Sequence, residues 1–356
     1  MIKFSIPVIC SDDRLLSLVN TDYIDEFYDG ADDCIGRSFF CFNPSMFSKS
    51  QFASCLKKIH YRGLKLNYML DATCIGNQEL TIRMQKKIKQ LLNWIIDNNI
   101  DAVTIAVPYL LEFIKYNYPK LKVYVSIAAG VDALERAEYW DELGADRITL
   151  SAVSGINRNF KLLRKIRDNI TCQLELIANL SCLNECPFWT YHSSVFSHIS
   201  QHSYLEGKSR PDYCLAKCNY IKTRDPVEFI RSGWIRPEDL RYYEELGINR
   251  IKLVTENSDS AKTIRVLNAY YNRYYEGNLL DILFDGLKGG SVIYIDNQKL
   301  NGFLEYFINE NCNQKSCQSC DYCISISNQV TRIDDVKRLS LLSKYERQFN
   351  EAVGTL

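Results

Sequence analysis

The stretch Tyr139-Trp-Asp-Glu-Leu-Gly-Ala-Asp-Arg-Ile-Thr-Leu150 is echoed about 100 residues later by Tyr242-Tyr-Glu-Glu-Leu-Gly-Ile-Asn-Arg-Ile-Lys-Leu253, with seven of the twelve positions identical. Each copy reads as a helix end, a glycine cap, a two-residue turn and a strand. Two such units predict a right-handed βα repeat that closes into an α/β TIM-like (βα)8 barrel. A doubly wound open sheet is the competitor. Its nucleotide-binding forms lose weight because no G-x-G-x-x-G follows the first strand and no G-x-x-x-x-G-K-[ST] occurs anywhere.

Working outward, apolar and β-rich runs predict strands at Lys3–Val8, Lys65–Leu70, Ala102–Val107, Lys122–Ile127, Arg147–Ser151, Gln173–Ala178, Arg250–Val254 and Val292–Ile295. Between them, Gln78–Asp97 sets Leu80, Met84, Ile88, Leu91, Leu92 and Ile95 on one helical stripe. Asp132 and Glu135 suit a capping box, Gly144 and Gly247 suit helix ends, and Pro237 suits a first helical turn. The barrel is expected over residues 1–300. A polar segment at about 190–213, with His192, His198 and His202, is too long for an ordinary loop and reads as a mobile lid or insertion. Residues 301–356 read as a small Cys-rich C-terminal extension.

The 356 residues carry 43 Lys+Arg against 43 Asp+Glu, a balance that argues against a nucleic-acid cradle or an anionic membrane surface as main partner. RNA stays a minor expectation. No apolar stretch approaches the roughly 18 residues of a membrane span, and the N-terminal residues lack an export signal, so a cytoplasmic protein is expected. In that reducing setting, 14 cysteines point to metal binding and away from disulfides.

The cysteines divide into two kinds. Cys10, Cys34, Cys41, Cys55, Cys74 and Cys172 are scattered, as small buried hydrophobes would be. The other eight form two quartets. Cys182-x3-Cys186 and Cys214-x3-Cys218 are separated by 27 residues, and the first pair follows a predicted strand directly, on the face where barrel active sites are built. Four thiolates in such pairs suit structural zinc or an iron–sulfur cluster, and x3 is loose for a zinc knuckle. The second quartet, Cys312-x4-Cys317-x2-Cys320-x2-Cys323, has x2 steps like a bacterial ferredoxin run, with zinc as its alternative.

From about residue 1 to 260 the chain resembles the peptidase U32 family of collagenase-like proteins. The likeness rests on Asp25-Glu-Phe-Tyr-Asp-Gly30 with Gly36-Arg37, on Leu66–Asp71, and on Lys122-Val-Tyr-Val-Ser-Ile127 followed by Tyr139–Leu150. It rests further on Leu174-Glu-Leu-Ile-Ala-Asn-Leu-Ser-Cys182 and Cys214-Leu-Ala-Lys-Cys218. Where the family reads Glu-x-hydrophobic-x-His-Gly-x-x-Cys, this chain has Leu174 in place of the glutamate and Ala178-Asn179 in place of His-Gly. The resemblance implies a TIM-type barrel and a 4Fe–4S cluster on Cys182, Cys186, Cys214 and Cys218. It also implies oxygen-independent hydroxylation chemistry of the kind relatives perform on ubiquinone precursors, tRNA or ribosomal RNA, with prephenate implicated as oxygen donor. A second 4Fe–4S cluster, or zinc, is expected at Cys312, Cys317, Cys320 and Cys323.

Polar residues near strand ends complete the candidates: Asp71, Ser126, Glu175, Asn179, Lys252 and Glu256. Glu175, Asn179 and Lys252 are the catalytic candidates, and a buried Glu175 needs a partner, for which Lys252 is one choice. Arg236 beside Pro237 reads as a solvated helix start or a carboxylate binder. With only four histidines and no H-E-x-x-H helix, proteolysis has little sequence support. The expected substrate is a small molecule, a peptide or RNA, in a chain that is an enzyme or an iron–sulfur scaffold subunit for a paralogous partner.

Overall fold

Runs such as Leu66-Asn-Tyr-Met-Leu70 and Ala102-Val-Thr-Ile105 form strands buried almost end to end, as parallel strands covered on both faces must be. The computed structural model describes residues 1–8, 22–30, 34–37, 48–201, 212–255, 260–284, 292–309, 312, 317 and 320–354. Cys10, Cys41, His202 and Glu256 lie outside these residues.

Eight parallel strands close into a barrel: β1 (Lys3–Pro7), β2 (Ile24–Asp29), β3 (Lys65–Leu70), β4 (Ala102–Ile105), β5 (Lys122–Val125), β6 (Arg147–Thr149), β7 (Gln173–Ile177) and β8 (Arg250–Lys252). Closure comes from β1 pairing with both β2 and β8. The helices are α1 (Lys49–Tyr61), α2 (Ile82–Asp97), α3 (Pro108–Asn117), α4 (Leu134–Glu142), α5 (Phe160–Asn169), α6 (Trp189–Ser200), α7 (Tyr213–Arg224), α8 (Val227–Arg231), α9 (Leu240–Glu245) and α10 (Ser260–Asn272). The repeated unit is as expected: α4 and α9 each end before a glycine of positive φ, Gly144 at 94° and Gly247 at 81°, and a strand follows.

The early strand that the family likeness implies at Asp25–Gly30 is β2, although it is absent from the apolar runs, and three local expectations change. Val292–Ile295 is not a barrel strand. Its core, β9 (Ile293–Ile295), pairs antiparallel with β10 (Thr331–Ile333) in a separate two-stranded sheet. Thr81 Oγ1 accepts from Met84 N at 3.2 Å and starts α2 there, so Leu80 falls in the preceding turn and is exposed. Asp132 makes no capping box; it accepts from Arg136 at 3.0 Å instead.

The C-terminal part consists of β9, α11 (Phe303–Asn309), α12 (Tyr322–Val330), β10 and α13 (Asp335–Ala352). Phe303, Leu304, Phe307 and Val330 join the same buried apolar cluster as the barrel strands. Arg236 is a main fastener and is neither solvated nor free to bind a substrate carboxylate. It is 1% exposed and donates to Leu300 O (2.7 Å), Asn301 Oδ1 (2.8 Å) and Asn297 Oδ1 (3.1 Å). Helix α13 packs along α7, with Phe349 edge-on to Tyr220 at 5.3 Å.

Candidate active site

The barrel lumen holds two polar layers. The one toward the N-terminal strand ends is built around Arg147, the arginine of the first repeat copy. Its Nη1 donates to Glu26 Oε1 (2.5 Å) and Glu175 Oε1 (3.3 Å), and its guanidinium lies 4.1 Å from the centre of the Tyr124 ring. Arg250, its counterpart in the second copy, pairs with Asp25, which Arg147 also reaches at 3.4 Å. Glu175 is completed by Ser5 Oγ (2.9 Å) and Thr149 Oγ1 (2.8 Å). Its partner is thus Arg147 and not Lys252. Burial pushes the Glu26 carboxyl above the ordinary range; Arg147 opposes this and Glu175 adds to it. For Arg147 itself, burial disfavours the charge, but Glu175 and Glu26 outweigh that and hold it more firmly protonated.

Nearer the C-terminal mouth, Lys252 is buried with its Nζ 3.9 Å from the Tyr28 ring centre and 3.8 Å from Met69 Sδ. It forms no ion pair among the described residues. Ser126 donates to Asp71 at 2.7 Å in the same region. Asn179, the third catalytic candidate, is fully buried and committed to the framework. Its Nδ2 donates to Val254 O (2.7 Å) and Ile282 O (3.2 Å), and its Oδ1 accepts from Val254 N (2.8 Å). That clamp fixes the direction in which the chain leaves β7.

The leaving segment carries Cys182 and Cys186, with Glu185 between them in left-handed backbone at φ 49°. Both cysteines pack against an apolar cluster at the mouth formed by Ile127, Ile177, Phe196 and Val254. Cys214 and Cys218 come from α7, whose start is fixed by Asp212 accepting from Leu215 N at 2.9 Å. The four thiols act on one another electrostatically. Burial pushes up the Cys182 thiol, and Cys218 and Cys186 push it further; Lys222 opposes them. Cys186 rises to about 11 and Cys214 to about 12, burial again being the largest cause. Among the described residues, no three His, Cys, Asp or Glu side chains gather as the ligands of a single ion would. The donor set suits iron–sulfur chemistry nonetheless: four soft sulfurs, an apolar surround and the buried ammonium of Lys222 to offset thiolate charge.

Of the segment expected as a lid or insertion, residues 190–200 belong to α6, and residues 202–211 lie outside the described residues. Arg37 N donates to Ser200 Oγ (2.7 Å), Thr73 N to Ser197 Oγ (2.8 Å), and Gln201 Nε2 to Cys74 O (2.7 Å), so α6 is tied to the loops after β2 and β3. Gly30 is required beneath it, because a Cβ there would strike the Arg37 guanidinium. His192 pairs with Asp212 at 3.2 Å, joining α6 to the start of α7, while His60 pairs with Asp101 at 3.0 Å. The cysteines described outside the quartets (Cys34, Cys55, Cys74 and Cys172) are half-buried or buried and free of disulfides.

Sequence reasoning missed Arg147 and Lys222. Both had a signal: Arg147 and Arg250 occupy the same position of the repeat, and Cys214, Cys218 and Lys222 recur at i, i+4, i+8 on one helix. In the second quartet, Cys312 and Cys323 pack against the main apolar core. Burial raises Cys323 to about 11 with Cys312 and Cys317 adding to it, and Cys320 Sγ lies 3.7 Å from Tyr306 Oη.

Comparison with known proteins matches this geometry to one family. The family model for peptidase family U32 matches residues 16–221, a span that includes the first quartet and stops short of the second. The chain is 32% identical over 288 residues to an uncharacterized protease of Methanocaldococcus jannaschii, covering 80% of this chain and 83% of the relative. The solved structure of the U32 peptidase Mk0906 superposes with a TM-score of 0.54 at 22% identity, over 72% of this chain and 93% of that one, which supports the barrel fold.

Proposed function

Since the chain belongs to peptidase family U32, we propose that it is an iron–sulfur member that carries out an oxygen-independent redox modification at the C-terminal mouth of the barrel. What supports this reading is the placement of Cys182 and Cys186 against the apolar mouth, with Cys214 and Cys218 one turn apart on α7 ahead of the buried Lys222. These four residues would hold a 4Fe–4S cluster, which supplies one-electron transfer when bound.

The chain's own residues then have separate tasks. Lys252, a buried ammonium near the mouth with a ring face and a thioether beside it and no ion pair among the described residues, holds an anionic group of a small-molecule, peptide or RNA substrate. Its burial strengthens that attraction by excluding water. The Asp71–Ser126 pair offers a hydrogen-bonding edge beside it. Asn179 and the Glu26–Arg147–Glu175 layer fix the strands that carry these groups and take no part in proton transfer. Helix α6 shields the mouth from solvent through Phe196 and Trp189.

A peptidase is the second reading, favoured by the His192–Asp212 pair, which has the form of a base and its orienting carboxylate. One experiment separates the two. The full chain, isolated without oxygen, is supplied with a reductant and with small-molecule, peptide and RNA fractions in turn, and products are read by mass spectrometry. Gelatin cleavage is measured in parallel. The proposal expects a reductant-dependent product that disappears in Cys182→Ser and Lys252→Met. Gelatin cleavage that survives Cys182→Ser and is lost in His192→Ala would replace it with the peptidase reading.

A further inference from the structure

Arg158 closes the short turn Ile156–Arg158 after β6 and is only 6% exposed. Its Nη1 donates to Ile230 O at 2.7 Å, but Nε and Nη2 find no hydrogen-bond partner among the described residues. No carboxylate forms an ion pair with it there. Asp239 is within electrostatic reach but leans toward Arg236, at 3.9 Å. Three ring faces enclose the guanidinium instead, those of Trp234, Phe303 and Phe307, at 4.7, 4.8 and 5.0 Å. Aromatic faces attract a cation, yet they leave its N–H donors unsatisfied, and an unpaired buried charge is costly.

The adjoining C-terminal segment brings cysteines toward this guanidinium. Cys312 and Cys323, which pack against the apolar cluster that contains Phe303 and Phe307, act electrostatically on Arg158, and Cys317 and Cys323 act on Arg231 at the end of α8. Cys320 completes the set beside Tyr306. Tyr306 and Tyr322 stack at 3.8 Å, and Tyr322 stacks on Phe303 at 5.7 Å, so one run of aromatic rings joins the surroundings of Cys320 to those of Arg158. Four thiolates around a metal centre leave net negative charge, and two guanidiniums are placed to offset it.

We infer that Cys312, Cys317, Cys320 and Cys323 hold a second iron–sulfur cluster, with Arg158 as the buried counter-charge supplied by the barrel and Arg231 as a second one at its edge. The x2 steps of the segment follow the ferredoxin pattern and do not form the two separate knuckles of a zinc site. The site lies beyond the span matched by the family and does not depend on the barrel quartet.

The test uses the full chain with Cys182→Ser and Cys186→Ser, reconstituted without oxygen from ferrous iron and sulfide. About four irons and four sulfides per chain are expected to remain, and adding Cys320→Ser with Cys323→Ser should lower both at least tenfold. Should the first pair of substitutions prevent folding, Cys320→Ser with Cys323→Ser in the otherwise native chain should remove about four irons. Replacing Arg158 by Met should make the remaining cluster harder to reduce and shift its midpoint potential to a more negative value, with Arg158→Lys restoring most of the shift. Arg231→Gln should shift it in the same direction and serves where Arg158→Met does not fold. Zinc without sulfide, no bound metal, iron that survives loss of Cys320 and Cys323, or a potential indifferent to both arginines would overturn the inference.

Discussion

Glu175 accepts a hydrogen bond at 3.3 Å from Arg147 on the neighbouring strand, and the same Nη1 reaches across the barrel lumen to Glu26. Removing the arginine would strand buried carboxylates, which is the costly way to break such a group. Arg147→Met should destabilise the protein by about 3–5 kcal/mol in urea unfolding. The loss should depend on pH. The Glu26 carboxyl is raised in the folded chain, so its contribution is fully present below its unfolded value of about 4.3 and fades as pH rises through the folded value. The variant should therefore lose less at about pH 5 than at about pH 8. An equal loss at both would contradict the assignment.

Asp141 holds the turn into β7 by accepting from Thr171 N (2.8 Å) and Cys172 N (2.9 Å). Burial opposes its charge, yet these N–H donors outweigh that and keep the carboxyl below the usual range. A depressed carboxylate stabilises above its unfolded pKa of about 3.9, and that contribution is lost as pH falls through the folded value. Asp141→Asn should cost about 1 kcal/mol near neutrality and nothing in strong acid. Chemical unfolding at several pH values checks this.

Gly233 leaves no room for a Cβ, which would collide with the Ala152 carbonyl oxygen, and its own carbonyl accepts from Asn157 Nδ2 at 2.7 Å. Gly233→Ala should lower stability by about 1–3 kcal/mol through backbone displacement. At Gly63 the Cβ position is open and only the backbone at φ 73° resists substitution, so alanine there should cost about 1 kcal/mol. A thermal-melt ranking with Gly63→Ala as the worse variant would refute the steric argument.

Arg236 fastens the C-terminal part with three donors in a planar fork, so lysine cannot replace it conservatively. Arg236→Lys should cost about 2–3 kcal/mol and hasten limited proteolysis within residues 292–354. Unchanged cleavage there would mean that the apolar contacts of Phe303 and Phe307 alone hold the two parts together.

Much of the fold was legible because buried parallel strands and glycine-capped helices leave periodic marks, as the Tyr139–Leu150 and Tyr242–Leu253 copies show. What the apolar runs left undecided was written in distant pairings. Ile24–Asp29 looks polar until Arg147 and Arg250, more than 100 residues away, are seen to meet Asp25 and Glu26. Val292–Ile295 has strand composition, and composition cannot say whether its partner is the barrel or β10. At the site, the cysteine quartets stood out by spacing, whereas the roles of Glu175 and Asn179 depended on partners contributed by other strands. Helix α6 was hidden because its polar serines face loops and hydrogen-bond to backbone, not to water.

The iron–sulfur cluster proposed for the barrel quartet requires inorganic sulfide. It is tested most directly by the acid-labile sulfide content of the full chain, isolated without oxygen, against that of the Cys214→Ser, Cys218→Ser variant. A loss of about four sulfides per chain, matched by the loss of about four irons, is expected. Equal sulfide in the two proteins, or none in either, would contradict it.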